Sequence, residues 1–240
     1  MAAYDAIFIG SDEVAEHTMA FHFEKPPGFA FTAGQFISMT LIHPPETDAR
    51  GDTRAFSIAS APYERNLMIT TRMRDTAFKR TLKKLTRGEP IQTRGPFGSL
   101  TLRDDALETA VFLAGGIGIT PFRSIVLQAA QQKQTKRIFL FYCNRRAEDA
   151  AFLEELKQLE SANQNYKCVA TLTKPRDPKR EWNGEKGYIN RTMLLKFIQD
   201  LREPIYYIAG PPGMVLSMQE ELKTAGVPSD HVRAEQFAGY

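Results

Sequence analysis

The sequence predicts a two-domain chain: an N-terminal antiparallel β-barrel over residues 1–103, then a C-terminal α/β domain over residues 104–240 built on a doubly wound parallel sheet of five strands. Three observations predict it. Up to Arg103 the apolar residues come in strand-length bursts broken by Pro, Gly and charge. Beyond it, apolar runs alternate with helical patterns, as in repeated strand–helix units. Two of the turns after those runs are rich in Gly and Pro, where such sheets bind their ligands.

In the first half the bursts are QFISMTLI from Gln35, AFSIAS from Ala55 and NLMITTRM from Asn66. The segment from His43 to Thr53, HPPETDARGDT, reads as a polar surface loop, and one helix is expected from about Phe78 to Leu85. The second half follows a link near Arg103 to Leu107. Its strands are TAVFLA, RIFLFY, CVATLT and PIYYIA, with HVRAEQF as a final one. Between them lie PFRSIVLQAAQQ, AEDAAFLEELKQLE, RTMLLKFIQDL and MVLSMQEELKTAG, each with helical spacing.

Composition narrows the class. The chain has 240 residues, 42% of them hydrophobic, enough for real cores. A net charge of +3 is too small to argue for nucleic acid. The longest apolar run, around Ala110 to Ala114, is far shorter than a membrane span, and the N-terminus lacks the basic start of a signal peptide, so a cytoplasmic protein is expected. Cys143 and Cys168 sit in apolar segments and read as reduced core thiols; two thiols fall short of the roughly four that an iron–sulfur cluster needs. His17, His22, His43 and His231 lack metal-ligand spacing, so no metal site is expected.

The strongest motif is AGGIGITPF, Ala114 to Phe122, directly after an apolar strand. Gly115, Gly116 and Gly118 allow a sharp turn and close approach of a ligand; Thr120 suits an N-cap and Pro121 the first helical position. Free amides and the helix dipole would then face a pyrophosphate. A second loop of this kind, AGPPGM from Ala209 to Met214, follows another strand, and two such loops can line one crevice. In the first half, RAFSIAS places Arg54 and Phe56 on one strand face and Ser57 on the other, a cation and a flat ring side by side. A core Phe beside a surface Arg is the plainer alternative.

Taken in order, AGQF at Ala33, RAFS at Arg54, GPFG at Gly95, GGIGITP at Gly115, GPPGM at Gly210 and EQF at Glu235 resemble the ferredoxin-NADP reductase family, in its single-chain bacterial form without an iron–sulfur domain. The resemblance covers nearly the whole chain. It implies an FAD-dependent enzyme that moves electrons between NAD(P)H and an acceptor, with hydride transfer between nicotinamide and the flavin N5. By similarity Arg54 meets the flavin pyrophosphate, Phe56 packs on the isoalloxazine and Ser57 lies near N5, with Ala55 on the same strand. Most members carry Tyr at the Phe56 position. The resemblance also counts Thr70, Thr71 and Arg72 among the flavin contacts, with the helix start at Thr76, Ala77, Phe78 and Lys79. Asp75 or Thr76 would cap that helix.

The same resemblance makes Gly115, Gly116, Gly118, Ile119, Thr120 and Pro121, with Gly210, Pro211, Pro212, Gly213 and Met214, the nicotinamide-dinucleotide cradle, and sets Thr120 close to the flavin. Many members place Cys before the second loop, where this chain has Ala209. Glu235 and Phe237 align with a Glu-x-aromatic pair whose aromatic covers the flavin; here either Phe237 or Tyr240 would be that cover. Asn144 and Arg145 fall where NADP-dependent members keep a Ser-Arg pair, so NADP is expected over NAD.

For the acceptor the basic segment 72–87 points to an acidic ferredoxin, a flavodoxin or another redox protein, since Arg72, Arg74, Lys79, Arg80, Lys83, Lys84 and Arg87 have only Asp75 as an acidic neighbour within it. A solvated basic helix, a flavin or quinone reductase, and an electron-transfer subunit stay open beside this. The last is disfavoured by the absence of a cysteine-rich segment after the barrel and sheet.

Overall fold

The structure is a computed structural model, and it describes residues 3–103, 109–175 and 182–237. The first sheet is antiparallel and comprises β1 (Ala3–Ala15), β2 (Thr18–Glu24), β3 (Phe36–Leu41), β4 (Thr53–Ser57), β5 (Asn66–Arg72) and β6 (Pro90–Phe97), in the order β4-β3-β6-β1-β2-β5. It closes into a barrel. Just past β4, Ile58 bridges Ile69 of β5, and the Ala59 amide donates to the Met68 carbonyl at 2.8 Å. The long β1 makes closure possible: its first residues pair with β6, and the rest pair with β2 after a register shift between Phe8 and Gly10.

Phe8, Phe21, Phe23, Ile37, Met39 and Ile69 fill the barrel. Helix α1 (Ala77–Lys84) plugs one end with Phe78 and Leu82, one turn apart on its buried face. It starts one residue earlier than expected.

The second sheet is parallel, built from β7 (Thr109–Gly115), β8 (Arg137–Asn144), β9 (Tyr166–Leu172), β10 (Glu185–Lys186), β11 (Ile205–Gly210) and β12 (Val232–Gln236), in the order β10-β9-β8-β7-β11-β12. The expected five strands are all there, and β10 is a sixth. Its two residues are charged and carry no apolar signal; Glu185 and Lys186 simply extend the edge beside Thr171 and Leu172. The four inner strands β9, β8, β7 and β11 are buried, by α2 (Ile119–Gln131) and α3 (Leu153–Ala162) on one side, and by α4 (Arg191–Leu195) and α5 (Pro212–Thr224) on the other, while the edge strand β12 is half-buried.

Two helices are shorter than their sequence patterns. Helix α3 begins at Leu153 rather than Ala147 because Ala147–Asp149 is a 3₁₀ turn and Phe152 adopts φ 61°. Helix α4 stops at Leu195, although the apolar spacing runs on to Leu201. Because the chain moves outward from β7 to β8 and β9 and then returns to β11, the strand order reverses between β7 and β11, and a crevice opens at their carboxyl ends. The expected link overlaps residues 104–107, outside the described residues.

Candidate functional site

On the barrel side, β4 carries Arg54 half-buried, Ala55 exposed, Phe56 half-buried and Ser57 buried, and its unbroken register with β3 leaves no bulge, so Arg54 and Phe56 share a face and Ser57 lies on the other. The Phe56 ring lies 5.8 Å from Phe78, and the Arg54 guanidinium sits over Phe78 at 5.1 Å. Arg54 already has partners: it donates to the carbonyls of Arg50, Gly51 and Thr53 at 2.6–3.0 Å and to Asp48 at 2.7 Å. It therefore clamps the 48–53 loop as well as presenting a cation.

Helix α1 begins beside it. Thr76 is the cap, its hydroxyl accepting from the Lys79 amide at 3.3 Å, while Asp75 is ion-paired with Arg80. Lys79 turns inward and donates to the Arg72 carbonyl at 2.5 Å. Burial, then the charges of Arg74, Arg50 and Arg54, lower its ammonium to about 8. Thr70 and Thr71 are buried on β5, and the Thr70 hydroxyl has no partner among the described residues.

On the sheet side the glycine loop differs in detail from its expected roles. A 3₁₀ turn, Gly116–Gly118, comes between β7 and α2, and Gly118 takes the N-cap place. Thr120 lies inside the helix and donates its hydroxyl to the Ile117 carbonyl at 3.1 Å instead of capping, so Pro121 is not the first helical residue. Only Gly116, at φ 49°, is required by backbone conformation. Gly115 and Gly118 are required by the neighbouring loop: a Cβ on Gly118 would stand 2.1 Å from the Ala209 carbonyl oxygen, and one on Gly115 would stand 2.3 Å from Met214 Sδ and 2.9 Å from Pro211. The two loops thus pack on each other and form one wall, as two adjacent strand ends allow. Pro211 caps α5 and Pro212 opens it, with Gly213 in its first turn.

The seam joins these halves. The 116–118 turn lies against β5. Ser57 pairs with Phe36, whose ring lies 5.5 Å from Phe97; a Cβ on Gly98 would meet that Phe36 ring at 2.9 Å and Glu235 Oε1 at 3.5 Å. Ser57 and Glu235 therefore approach through Phe36 and the GPFG turn. Burial raises the Glu235 carboxyl above the usual range. The Phe237 amide donates to the Gly210 carbonyl at 3.0 Å, which ties the tail to the second loop; Tyr240 lies outside the described residues.

Asn144 is buried at the end of β8, its Oδ1 unpartnered, whereas Arg145 beside it is exposed and has no ion pair among the described residues. Arg146 is the tied one, paired with Glu16 and Asp149. The basic segment is also less free than its sequence implied. Arg80 pairs with Glu46, from the polar loop, as well as with Asp75, so Asp75 is not its only acidic neighbour.

Sequence reasoning missed Arg50, which joins the Lys79 cluster, and the buried Arg123. The signal for Arg123 was there, a lone cation inside the apolar run PFRSIVL. Cys143 and Cys168 are free and buried, and burial pushes both thiols up to about 11. Among the described residues there is no metal-binding cluster, and no helix is long and apolar enough to cross a membrane.

Residues 112–220 match the oxidoreductase NAD-binding domain family. One component of the Na(+)-translocating NADH-quinone reductase of Yersinia pseudotuberculosis is 26% identical over 95% of this chain, and its counterpart in a Marinomonas species is 30% identical over 63%. The chain spans 58% and 38% of the lengths of these relatives. A ferredoxin NADP+ reductase from Neisseria gonorrhoeae, solved with FAD and NADP, superposes with TM-score 0.81 at 21% identity, over 98% of this chain and 99% of that one. The cytochrome P450 reductase of Amycolatopsis gives 0.83 at 20%, over 98% of this chain and 70% of that one.

A barrel is joined to a parallel sheet whose residues 112–220 match the NAD-binding domain family. The chain shares the two-domain fold of these reductases.

Proposed function

We propose that residues 1–103 hold FAD, residues 104–240 hold NAD(P)H, and the pair passes electrons from reduced nicotinamide to a one-electron protein acceptor such as a ferredoxin or flavodoxin. The observation that carries this reading is the cation set on the barrel: Lys79, Arg50, Arg54 and Arg74 converge with Asp48 as the carboxylate on Arg54, beside the Phe56–Phe78 ring pair. A crowd of cations next to a flat apolar face fits a diphosphate joined to an aromatic ring system.

When bound, FAD supplies a hydride acceptor that gives electrons up singly. The chain's residues supply the rest. Arg54 and Lys79 bind the diphosphate; Phe56 covers a ring face; Ser57 and Thr120 offer hydroxyls at the seam. Glu235, raised by its burial, holds a proton at its carboxyl more readily than an exposed glutamate. The paired glycine loops and the α2 N-terminus receive the dinucleotide, and Phe237, or Tyr240 beyond it, excludes water from the crevice.

Arg145, exposed and without a carboxylate among the described residues, is the residue for the extra phosphate of NADP, so NADPH is the preferred donor. Arg72, Arg74, Lys83, Lys84 and Arg87 offer the acceptor a basic surface that Arg80 does not share. A second reading, transfer from NADH toward a quinone within a larger assembly, is favoured by the names of the Yersinia and Marinomonas relatives.

Anaerobic titration separates the readings. The purified protein is expected to be yellow, to release FAD on denaturation, to bleach faster with NADPH than with NADH, and to be reoxidised by a ferredoxin or flavodoxin. A protein that cannot be reconstituted with FAD sinks the proposal, and reoxidation by quinone alone moves it to the second reading.

A further inference from the structure

Arg123 lies on α2, one turn past the glycine loop, and its side chain is 7% exposed. Every N–H of its guanidinium is used. Nε and Nη2 donate to the two Glu155 oxygens at 2.8 and 2.6 Å, Nη1 and Nη2 donate to the two Glu64 oxygens at 2.9 and 3.2 Å, and Nη1 also donates to the Ala59 carbonyl at 2.8 Å. The Phe152 ring covers it at 5.0 Å. Glu155 is on α3, in the sheet domain, whereas Glu64 and Ala59 belong to the barrel. Next to it, the buried Ser124 hydroxyl donates to the Ser60 carbonyl at 2.7 Å.

The place of these contacts in the chain matters more than their number. Segment 59–64 follows Arg54–Ser57 after one residue, Ile58, and Arg123–Ser124 follow Thr120–Pro121 after one residue, Phe122. The strand of one proposed cradle and the loop-helix of the other are thus fastened to each other by residues outside the proposed cofactor contacts. A guanidinium has a rigid planar fork, so two bidentate carboxylates fix orientation as well as distance. Lysine at the same place can keep the charge but cannot hold both.

We propose that Arg123 is a positioning residue: by locking segment 59–64 to α2 it sets the spacing and angle between the barrel cradle and the sheet cradle. This rests on the reading that flavin and nicotinamide meet across that crevice, where small misplacement slows a hydride transfer far more than it weakens binding.

The test compares wild type with R123K, and with the milder E155Q, which keeps Glu64, Ala59 and an oxygen at position 155. In cofactor-free protein, amide hydrogen exchange of segment 58–64 is expected to rise at least tenfold in R123K, and less in E155Q, while β1–β2 exchange stays unchanged. With FAD loaded, the single-turnover rate of flavin reduction is expected to fall at least tenfold in R123K, with FAD and nucleotide dissociation constants within about twofold of wild type. Should R123K not fold, E155Q decides alone, expected at a roughly threefold slower turnover with unchanged binding. Unchanged exchange, an unchanged rate, or a rate loss that merely tracks FAD loss overturns the proposal. Failure of wild type to be reduced by either nucleotide overturns the functional reading instead, leaving the exchange result to decide whether Arg123 joins the two cradles.

Discussion

The basic side chains of this protein fall into two groups that obey opposite electrostatics. At the seam between barrel and sheet they are matched: Arg123 lies between Glu64 and Glu155, and Arg146 faces Glu16, Glu148 and Asp149. In the two cradles they are under-matched: Lys79 faces Arg50, Arg54 and Arg74, and Arg145 stands without an ion pair among the described residues. Folding alone gives no reason to crowd cations, since like charges at close range disfavour each other's ionised form. Matched charge accompanies the joint between the two parts, and under-matched charge accompanies the sites proposed here for anionic cofactors.

The largest effect is expected at the matched, buried member. Arg123→Met removes the cation and leaves Glu64 and Glu155 facing each other without it, so the unfolding free energy should fall by about 3–5 kcal/mol. Urea unfolding of the cofactor-free protein measures it. A loss well under 1 kcal/mol would show that water compensates the two carboxylates, and the division between groups would lose its strongest case.

Arg54→Ala tests whether an under-matched cation belongs to a ligand. Arg54 also clamps the 48–53 loop, so two quantities must be read apart. FAD affinity is expected to weaken by about 1.5–3 kcal/mol, the worth of a charge-assisted hydrogen bond, as measured by fluorescence titration. If only the unfolding midpoint of the cofactor-free protein moves, Arg54 is a loop clamp and its pairing with Asp48 puts it in the first group.

The strings proposed as cradles were legible in the sequence, and the seam was not, for a physical reason. RAFS and GGIGITP are local strings whose chemistry is written in consecutive residues. The partners of Arg123 come from positions 59, 64 and 155, brought together only when the barrel closes on the sheet. The facing of Arg54, Phe56 and Ser57 was readable because β4 pairs with β3 in unbroken register, although Ser57 is more buried than Ala55 on the same face. Thr120 did not behave as a cap because the glycine loop first makes a 3₁₀ turn, in which Gly118 lies too close to the Ala209 carbonyl for any side chain. Residues 185–186 joined the sheet with no apolar signal at all, since edge pairing needs only a free backbone.

Lys79 gives the cradle a pH signature. Its folded value of about 8 lies below the ordinary 10.5, so the charged form is disfavoured in the cofactor-free fold. Between those values the native state has released a proton that the unfolded chain retains, and the stability of the cofactor-free protein gains from this group as pH rises through that window. A bound diphosphate reverses the preference, because it favours the ammonium. FAD affinity should therefore be greatest below about pH 8 and decline several-fold above it. Lys79→Met should flatten that decline, and an identical pH profile in wild type and variant would remove Lys79 from the cradle.

The smallest effect is expected at Arg146, and it sharpens the comparison from within the matched group. Its guanidinium bridges the same two parts of the molecule as Arg123, bonding Glu16 at 2.6 Å and Asp149 at 2.8 Å, yet it is 43% exposed where Arg123 is 7%. Water and salt screen such a pair, and holding two long side chains in one geometry opposes much of the attraction. The seam also keeps a backbone bond there, from the Glu16 amide to the Glu148 carbonyl at 2.8 Å, which no side-chain change removes. Arg146→Ala should leave the melting temperature unchanged at about 0.15 M salt, where charges further apart than ~8 Å are largely screened. At low salt a slight drop is expected, because Glu16, Glu148 and Asp149 then repel one another without the cation between them. A loss as large as that of Arg123→Met, at both salt concentrations, would mean that burial is not what separates the two arginines.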